Sequence, residues 1–334
     1  MLIKVAQYSL PKNDHLWLEK TTSSEYIDDY CCDGCQSKMD VVSRITNIHG
    51  AVGLITGLCP DCGYTKRVRN LSPDSFRSHF SKRWLSAREE ELSPNTHVYN
   101  QTRSQIQPKG SVLDVGCGIG TSLLAFQNNG YDVYGVEPSE HRSRTGFQLM
   151  PNIETGTAED YLFNTTKEFD LIYFYDVLQF LKNPYTVLEQ ASKRLTKNGK
   201  IWFKLGIYHH RSNLCQFAHF SVLRNYINLY SLLSHFDALG IYPVNCVPEP
   251  FELTLSKTPN SMTDKILKSA KKLDLDDLTQ YARKSLKLFQ LKIFQRCKIS
   301  YLKREVKLKM GNPSTPVLPI TFVHNTDHIP LLLK

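Results

Sequence analysis

The stretch VLDVGCGIG (residues 112–120) contains the strongest structural signal in the chain. An apolar run leads into three alternating glycines, Gly116, Gly118 and Gly120, and Thr121 then opens a helix-like segment. Glycine lets the backbone turn tightly and approach a ligand closely, and a helix N-terminus offers free N–H groups. The pattern therefore predicts a strand–turn–helix unit that binds a nucleoside-containing cofactor.

Apolar runs alternate with helix-like segments on both sides of this stretch, between about residues 96 and 257. The predicted strands are SVLDVG (111–116), DVYGVE (132–137), FDLIYFYDVL (169–178), KIWFKLG (200–206), IYPVNCV (241–247) and FELTLSK (251–257). Such alternation predicts an α/β fold of the Rossmann-like type with a parallel sheet. Glu137 ends the second run, 17 residues after Gly120. A carboxylate there is expected to accept hydrogen bonds from the two hydroxyls of a ribose.

Five motifs in order resemble those of the class I S-adenosylmethionine-dependent methyltransferases. They are LDVGCGIG, YGVEPS, GTAEDY (156–161), FDLIYFYDVLQFLKNP (169–184) and LTKNGKIWFKLG (195–206). The resemblance covers about residues 110–257. It implies a seven-stranded sheet whose last strand is antiparallel and pairs with its predecessor in a hairpin.

The resemblance also implies a set of S-adenosylmethionine-binding residues. Three glycines would face the cofactor, one acid would contact its amino-acid portion and another its ribose, two residues would edge the adenine, and two would lie under the methionine end. In that order they are Gly116, Gly118 and Gly120, Asp114, Glu137, Ala158 and Glu159, and Tyr175 and Asp176. Many relatives have Glu-His after the fourth strand, where this chain has Gln179-Phe180. The resemblance therefore supplies no base or metal ligand at those two positions.

Methyl transfer from a sulfonium depends mainly on the alignment of donor and acceptor, but an oxygen or carbon acceptor also needs a base. The candidate catalytic residues are His219, His210 and Tyr99, with His209 and Tyr208 beside them. His219 is the first choice, because QFAHFS (216–221) resembles a segment that many relatives carry near the acceptor. Of His209 and His210, at most one faces the pocket, because adjacent side chains on a strand point in opposite directions.

Four cysteines form two CxxC pairs separated by 23 residues, Cys32 with Cys35 and Cys59 with Cys62. Four thiolates at this spacing suit tetrahedral zinc, and a set of four cysteine ligands leaves no open coordination position, which indicates a structural Zn(2+) site. Gly34 and Gly63 are expected to supply the turn conformations. An iron–sulfur cluster and unligated cysteines remain alternatives, and Cys31 could replace Cys32. A zinc ribbon before a class I core resembles sugar and natural-product methyltransferases.

The chain has 334 residues and a net charge of +9. We predict three parts: a zinc-binding module (1–92), the methyltransferase core (93–257) and a basic helical extension with a tail (258–334). Residues 264–309 contain 14 Lys and Arg but only 5 Asp and Glu. This segment is predicted to dock as a helix with a solvated Lys face, to bind RNA, or to lie on an anionic membrane surface.

The sequence shows no transmembrane helix and no secretory signal, so a cytoplasmic protein is expected. The predicted function is methyl transfer to an oxygen or carbon of a sugar, glycan or natural-product small molecule. Two alternatives stay open: an RNA-modifying methyltransferase that uses the zinc ribbon and basic segment, and a non-catalytic binding protein with a degenerate core.

Overall fold

The structure, a computed structural model, describes residues 2–8, 26–46, 52–72, 93–205, 224–247, 251–272 and 318–323. The candidate bases His210 and His219 lie outside the described residues, as do Tyr208, His209 and most of the basic segment 264–309. Their predicted roles therefore stay predictions.

The described chain contains fourteen strands. In chain order they are β1 (Leu2–Tyr8), β2 (Tyr26–Asp28), β3 (Asp40–Thr46), β4 (Val52–Leu58), β5 (Thr65–Leu71), β6 (Ser111–Val115), β7 (Asp132–Glu137), β8 (Ile153–Thr155), β9 (Phe169–Tyr175), β10 (Leu195–Leu205), β11 (Asn225–Tyr226), β12 (Tyr242–Val247), β13 (Phe251–Ser256) and β14 (Leu318–Val323).

The α-helices of the described chain alternate with the later strands. They are α1 (His97–Thr102), α2 (Thr121–Gln127), α3 (Glu140–Leu149), α4 (Ala158–Asn164), α5 (Pro184–Lys193), α6 (Leu229–Ala238) and α7 (263–272). A short 3₁₀ turn, Leu178–Phe180, follows β9. Among the described residues, no helix is long and apolar enough to cross a bilayer.

The described residues fall into two compact units. One contains the described parts of 1–72, 209–228 and 271–334, and the other those of 73–208 and 229–270. The predicted boundaries at residues 92 and 257 stay predictions.

The second unit contains the predicted Rossmann-like sheet of seven strands, in the order β12-β13-β10-β9-β6-β7-β8. The pairs from β10 to β8 are parallel, whereas β13 runs antiparallel to both of its neighbours. The predicted α/β class, the antiparallel last strand and the β12–β13 hairpin are thus confirmed. Reversal of strand order beside β6 creates the crevice in which open α/β sheets bind their ligands.

One face of this sheet carries an aromatic core that fixes α1 and α2. Tyr173 on β9 and Trp202 on β10 are buried, and Phe126 of α2 stacks on Tyr173 at a centroid distance of 5.8 Å. Burial of side chains of this size is the main source of stability in such a layer. The core therefore holds the helices that flank the carboxyl ends of β6 and β9.

The first unit contains a second sheet of seven strands, in which every pairing is antiparallel. Its order is β1-β14-β3-β4-β5-β11, and β2 pairs with the C-terminal part of β5. The sequence analysis predicted none of these strands. Two of them, β11 and β14, come from parts of the chain far beyond the cysteine pairs, so local sequence does not reveal the sheet.

Candidate functional site

The glycine loop, Gly116 to Gly120, joins β6 to α2 and requires glycine at each alternate position. Gly116, Gly118 and Gly120 have φ angles of 79°, 60° and 86°, a region that costs other residues strain. A Cβ atom would lie 2.6 Å from Val177 Cγ2 at Gly116, and a Cβ at Gly120 would collide with Met150. The loop therefore follows a path that presents bare backbone, as close approach to a ligand requires.

Glu137 ends β7 beside this loop, and its carboxylate is held by backbone groups. One oxygen accepts a hydrogen bond from the N–H of Gly118 at 3.0 Å, and the other accepts one from the N–H of Ser139 at 2.9 Å. The residue is only 5% exposed. The backbone thus fixes the carboxylate next to the glycine loop before any ligand arrives.

Asp114 lies on β6 and is fully enclosed by the core. Burial raises the pKa of its carboxyl to about 8; the neighbouring Tyr173 hydroxyl opposes this rise and the charge of Glu137 adds to it. At neutral pH the protonated form therefore predominates. A protonated carboxyl can donate a hydrogen bond as well as accept one.

Asp176 follows β9 directly and has a strained backbone and an unpaired oxygen. Its φ angle is 57°, which is rare for a residue other than glycine. Its Oδ1 atom is buried and has no hydrogen-bond partner among the described residues, whereas Oδ2 lies 3.4 Å from the ammonium of Lys204. A buried carboxylate oxygen without a donor is costly, and the ammonium of a bound amino acid would satisfy it.

The two predicted adenine residues lie at the start of α4. The Thr157 side chain accepts a hydrogen bond from the N–H of Asp160 and caps this helix, Ala158 is buried, and Glu159 is half-buried. A Glu159 oxygen accepts a hydrogen bond from the N–H of Lys182 at 3.2 Å. This carboxylate therefore has a partner within the fold, and its contact with an adenine stays a prediction.

Comparison with known proteins agrees with this geometry. The family model of a methyltransferase domain matches residues 84–237. Residues 84–237 are a methyltransferase domain. The chain is 27% identical to the ubiquinone biosynthesis O-methyltransferase of Photobacterium profundum over 100 residues, which is 28% of this chain and 42% of that protein. The enzyme of that name from Thiobacillus denitrificans is 27% identical over 139 residues, or 38% of this chain and 59% of that protein.

The chain thus spans about half the length of these curated relatives. Among solved structures, Streptomyces venezuelae DesVI aligns with a TM-score of 0.40 and 14% identity, over 54% of this chain and 97% of that one. The methyltransferase domain contains the glycine loop, Glu137 and Asp176. These residues fit S-adenosylmethionine: the left-handed glycines of the loop present bare backbone, and the buried Asp176 oxygen without a partner among the described residues suits its ammonium group.

Tyr99, a predicted catalytic residue of the methyltransferase domain, packs into the aromatic core. Its ring lies 5.4 Å from that of Phe126 and 6.2 Å from that of Tyr131. Its catalytic role stays a prediction. His97, two residues earlier, places its ring 5.8 Å from that of Tyr175. The sequence analysis passed over His97, because nothing local indicates that α1 begins beside the end of β9.

Lys204 is a second residue of the domain that the sequence analysis missed. It lies one residue before the end of β10, and its ammonium is 3.3 Å from the Tyr175 hydroxyl. Burial acts to lower the pKa of Lys204, but the contacts with Tyr175 and Asp176 outweigh it and raise that pKa. The only sequence signal was a lysine inside the apolar run KIWFKLG (200–206).

The four paired cysteines come together in the first unit as a cysteine cluster. Their sulfur atoms all lie within 4.8 Å of one another, with 3.5 Å between those of Cys32 and Cys62 and 3.4 Å between those of Cys35 and Cys59. Cys31 lies outside the cluster, and its sulfur contacts the carbonyl of Gln36. The donor set fits a tetrahedral metal such as zinc, while ligation itself stays a prediction.

Both CxxC turns of the cluster have the same backbone hydrogen bond, which spans four residues. The N–H of Gln36 donates to the carbonyl of Cys32, and the N–H of Gly63 donates to that of Cys59. The residue after each second cysteine is left-handed, with φ of 64° at Gln36 and 74° at Gly63. The expectation for Gly63 is confirmed, but that for Gly34 is wrong, because the left-handed position falls on Gln36.

A buried ion network supports the first turn. The Lys66 ammonium, 5% exposed, contacts Asp33 at 2.8 Å and Asp29 at 2.7 Å. Asp33 lies between the first two cysteines and also accepts a hydrogen bond from the Tyr64 hydroxyl at 3.1 Å. The network therefore ties the turn to β5, and a positive charge next to a cluster of thiolates would offset part of their negative charge.

Proposed function

We propose that this protein transfers the methyl group of S-adenosylmethionine to an oxygen of a small-molecule acceptor. The observation that carries the proposal is the fixed carboxylate of Glu137 beside a loop that tolerates only glycine. Such an arrangement suits a ribose whose hydroxyls bind the carboxylate while the rest of the cofactor lies along bare backbone. The family match and the two O-methyltransferase relatives support the same reaction.

In this proposal each residue of the methyltransferase domain has one task. Glu137 binds the ribose, Asp176 binds the ammonium of the methionine end, and Ala158 with Glu159 borders the adenine. When bound, S-adenosylmethionine supplies a methyl group activated by its positive sulfur. The protein aligns the acceptor oxygen with that carbon and stabilises the charge that develops on the acceptor. Alignment and charge stabilisation together account for most of the rate.

We further propose that the acceptor is a sugar, glycan or natural product. We also propose that the cysteine cluster binds structural zinc. The zinc proposal is supported by the four converging sulfurs and by two turns of the same geometry. The contacts among these sulfurs and their burial raise the pKa of Cys32, whereas a coordinated thiol is deprotonated outright. Bound metal would therefore relieve the crowding of protonated thiols.

The experiment that tests the function uses the full chain, methyl-labelled S-adenosylmethionine and an extract of the source cells, with and without nuclease. Transfer of label to a nuclease-resistant small-molecule or glycan fraction is the expected result. Label that disappears with nuclease would instead indicate RNA as acceptor. Cofactor binding without any transfer would contradict the proposal and favour a non-catalytic binding protein. Glu137→Ala serves as the variant that should transfer less label than the wild type when the cofactor is subsaturating.

A further inference from the structure

A cationic group lies at the carboxyl edge of the Rossmann-like sheet of the second unit, next to the proposed methionine end of the cofactor. Lys204 pairs in register with Tyr175 on β9 and with Glu252 on β13. Its ammonium lies 3.3 Å from the Tyr175 hydroxyl and 3.4 Å from Asp176, and its side chain is 19% exposed. A hydroxyl oxygen and a carboxylate oxygen thus hold the ammonium at this edge, where ligands of open α/β sheets bind.

Resting on the methyl transfer proposed above, we propose that Lys204 and Tyr175 bind the reacting oxygen of the acceptor as an anion. Among the acceptors proposed above, this selects a natural product with an acidic hydroxyl, of the phenol or enol class, over a sugar or glycan.

The position of Lys204 points to the reacting oxygen and not to a distant group of the acceptor. Asp176 is the proposed partner of the methionine end of the cofactor, and the Lys204 ammonium is only 3.4 Å from it. An anion that contacts this ammonium therefore lies within one side chain of the methyl donor. A distal carboxylate or phosphate of the acceptor would need a cation farther from Asp176.

The ammonium is suited to stabilise an anion and not to act as a base. An ammonium has three N–H donors, and the two partners found among the described residues leave one for a ligand. Its raised pKa keeps it protonated at neutral pH, so it cannot take the proton of the hydroxyl. A fixed positive charge instead lowers the pKa of an adjacent hydroxyl.

The surroundings also suit a planar acceptor. The ring of Tyr175 stacks on that of Trp202 at 6.1 Å with an interplanar angle of 16°, and His97 packs edge-on against Tyr175. Tyr175 and His97 are half-buried. Half-buried aromatic side chains favour a flat, conjugated ring beside them, which is also the kind of group that makes a hydroxyl acidic.

The reaction balances without a further reactant. The acceptor hydroxyl loses its proton to water on binding, and the resulting anion is held by Lys204. The acceptor oxygen then forms a bond to the methyl carbon as the carbon–sulfur bond breaks, and the electron pair of that bond stays on sulfur. The products are a neutral ether and a neutral thioether, so the attraction of Lys204 for the acceptor ends with the reaction.

The test uses the full chain saturated with S-adenosylhomocysteine, which prevents transfer, and 4-nitrophenol as the probe, because its absorbance reports its ionisation. We expect the wild-type protein to bind the phenolate and to lower the apparent pKa of the bound probe. Lys204→Met should weaken phenolate binding by about tenfold to hundredfold and abolish the pKa change, and Tyr175→Phe should have a smaller effect. Lys200→Met is the matched control, since Lys200 lies on the same strand and contacts Ser256 at 2.8 Å.

Two results would overturn the inference. One is a wild-type protein that does not bind the phenolate or prefers the neutral phenol. The other is phenolate binding by Lys204→Met that equals that of Lys200→Met while both variants melt at the wild-type temperature. Calorimetry with S-adenosylhomocysteine on the same samples separates the two proposals: a protein that does not bind it fails the proposed function, whereas one that binds it but ignores the phenolate fails this inference alone.

Discussion

The glycine loop and the cysteine cluster both join short strands, but different interactions hold them in place. Backbone conformation and a buried carboxylate fix the loop, since three glycines have positive φ and Glu137 accepts N–H groups from both sides. The cluster is fixed by turns that bring four sulfurs within 4.8 Å and by the ion network of Lys66. The first arrangement is complete without its ligand, whereas the second leaves four thiols facing one another. The two sites should therefore respond differently to the loss of one residue.

The largest effect should come from Cys32→Ser. Structural zinc contributes roughly 10 kcal/mol or more to the folding of small domains, so the first unit should unfold and lose its metal. Metal analysis should fall from one zinc per chain to none, and cofactor affinity should stay near that of the wild type. Cys31→Ser is the control, because that thiol is exposed and outside the cluster. Retention of one zinc per chain by Cys32→Ser would reject the ligand set.

The next largest effect concerns the buried acid of the methyltransferase domain. The folded-state pKa of Asp114, about 8, is above its ordinary value of 3.8. Between about pH 4 and pH 8 the folded state therefore keeps a proton that the unfolded state loses, and stability falls as the pH rises through this window. Asp114→Asn should remove this dependence, on the order of 3–5 kcal/mol across the window.

Denaturant unfolding at pH 5 and pH 8 measures this effect. The free-energy difference between Asp114→Asn and the wild type should shift in favour of the variant at the higher pH. Asp237→Asn removes an exposed carboxylate of α6 and serves as the control. Parallel pH profiles for the wild type and Asp114→Asn would show that the buried carboxyl is ionised throughout.

A smaller effect is expected from Gly116→Ala. The added Cβ meets Val177 at 2.6 Å and the backbone is left-handed, so the free energy of unfolding should fall by roughly 2–3 kcal/mol. Gly240 also has a positive φ, 71°, but an added Cβ there would have nothing within 4 Å. Gly240→Ala should therefore lower the free energy of unfolding by only about 1 kcal/mol. The difference between the two isolates the collision; equal losses would mean that Val177 moves aside.

The smallest effect should be that of Glu137→Ala on cofactor binding. Loss of charged hydrogen bonds to the ribose should weaken S-adenosylmethionine binding by about 1–3 kcal/mol, measured by calorimetry. Glu140→Ala, three residues along the chain and exposed at the start of α3, should leave the affinity unchanged. If both variants bind as tightly as the wild type, Glu137 has only the structural role of holding the N–H groups of Gly118 and Ser139.

The sheet of the second unit was largely predictable from sequence because its strands are apolar and its turns local. DVYGVE matches β7 in both bounds, and FELTLSK matches β13 within one residue. The strand Ile153–Thr155 escaped prediction because three residues carry no usable periodicity. Of the cofactor site, the glycine loop and Glu137 follow from spacing along the chain, and the structure places them side by side.

The residues that escaped prediction depend on contacts between distant segments. Lys204 escaped because it meets Tyr175, which was predicted and lies 29 residues earlier, only through the register in which β9 and β10 pair. Gln36 adopts the conformation expected of a glycine because the turn of the cluster, and not the residue type, determines it. Strand β14 has an apolar run interrupted by proline, which alone indicates a loop rather than a strand.

Strand β14 has a consequence for the order in which the chain folds while it is being synthesised. It pairs with β1 on one side and β3 on the other, whereas the sheet of the second unit is complete once β13 has left the ribosome. At about 5–20 residues per second, the roughly 60 residues between β13 and β14 take roughly 3–12 s to make. During that interval the edges of β1 and β3 expose unpaired backbone groups to neighbouring nascent chains. Chaperone demand during expression should therefore arise from the first unit, even though five of its seven strands, β1 to β5, are the first to be made.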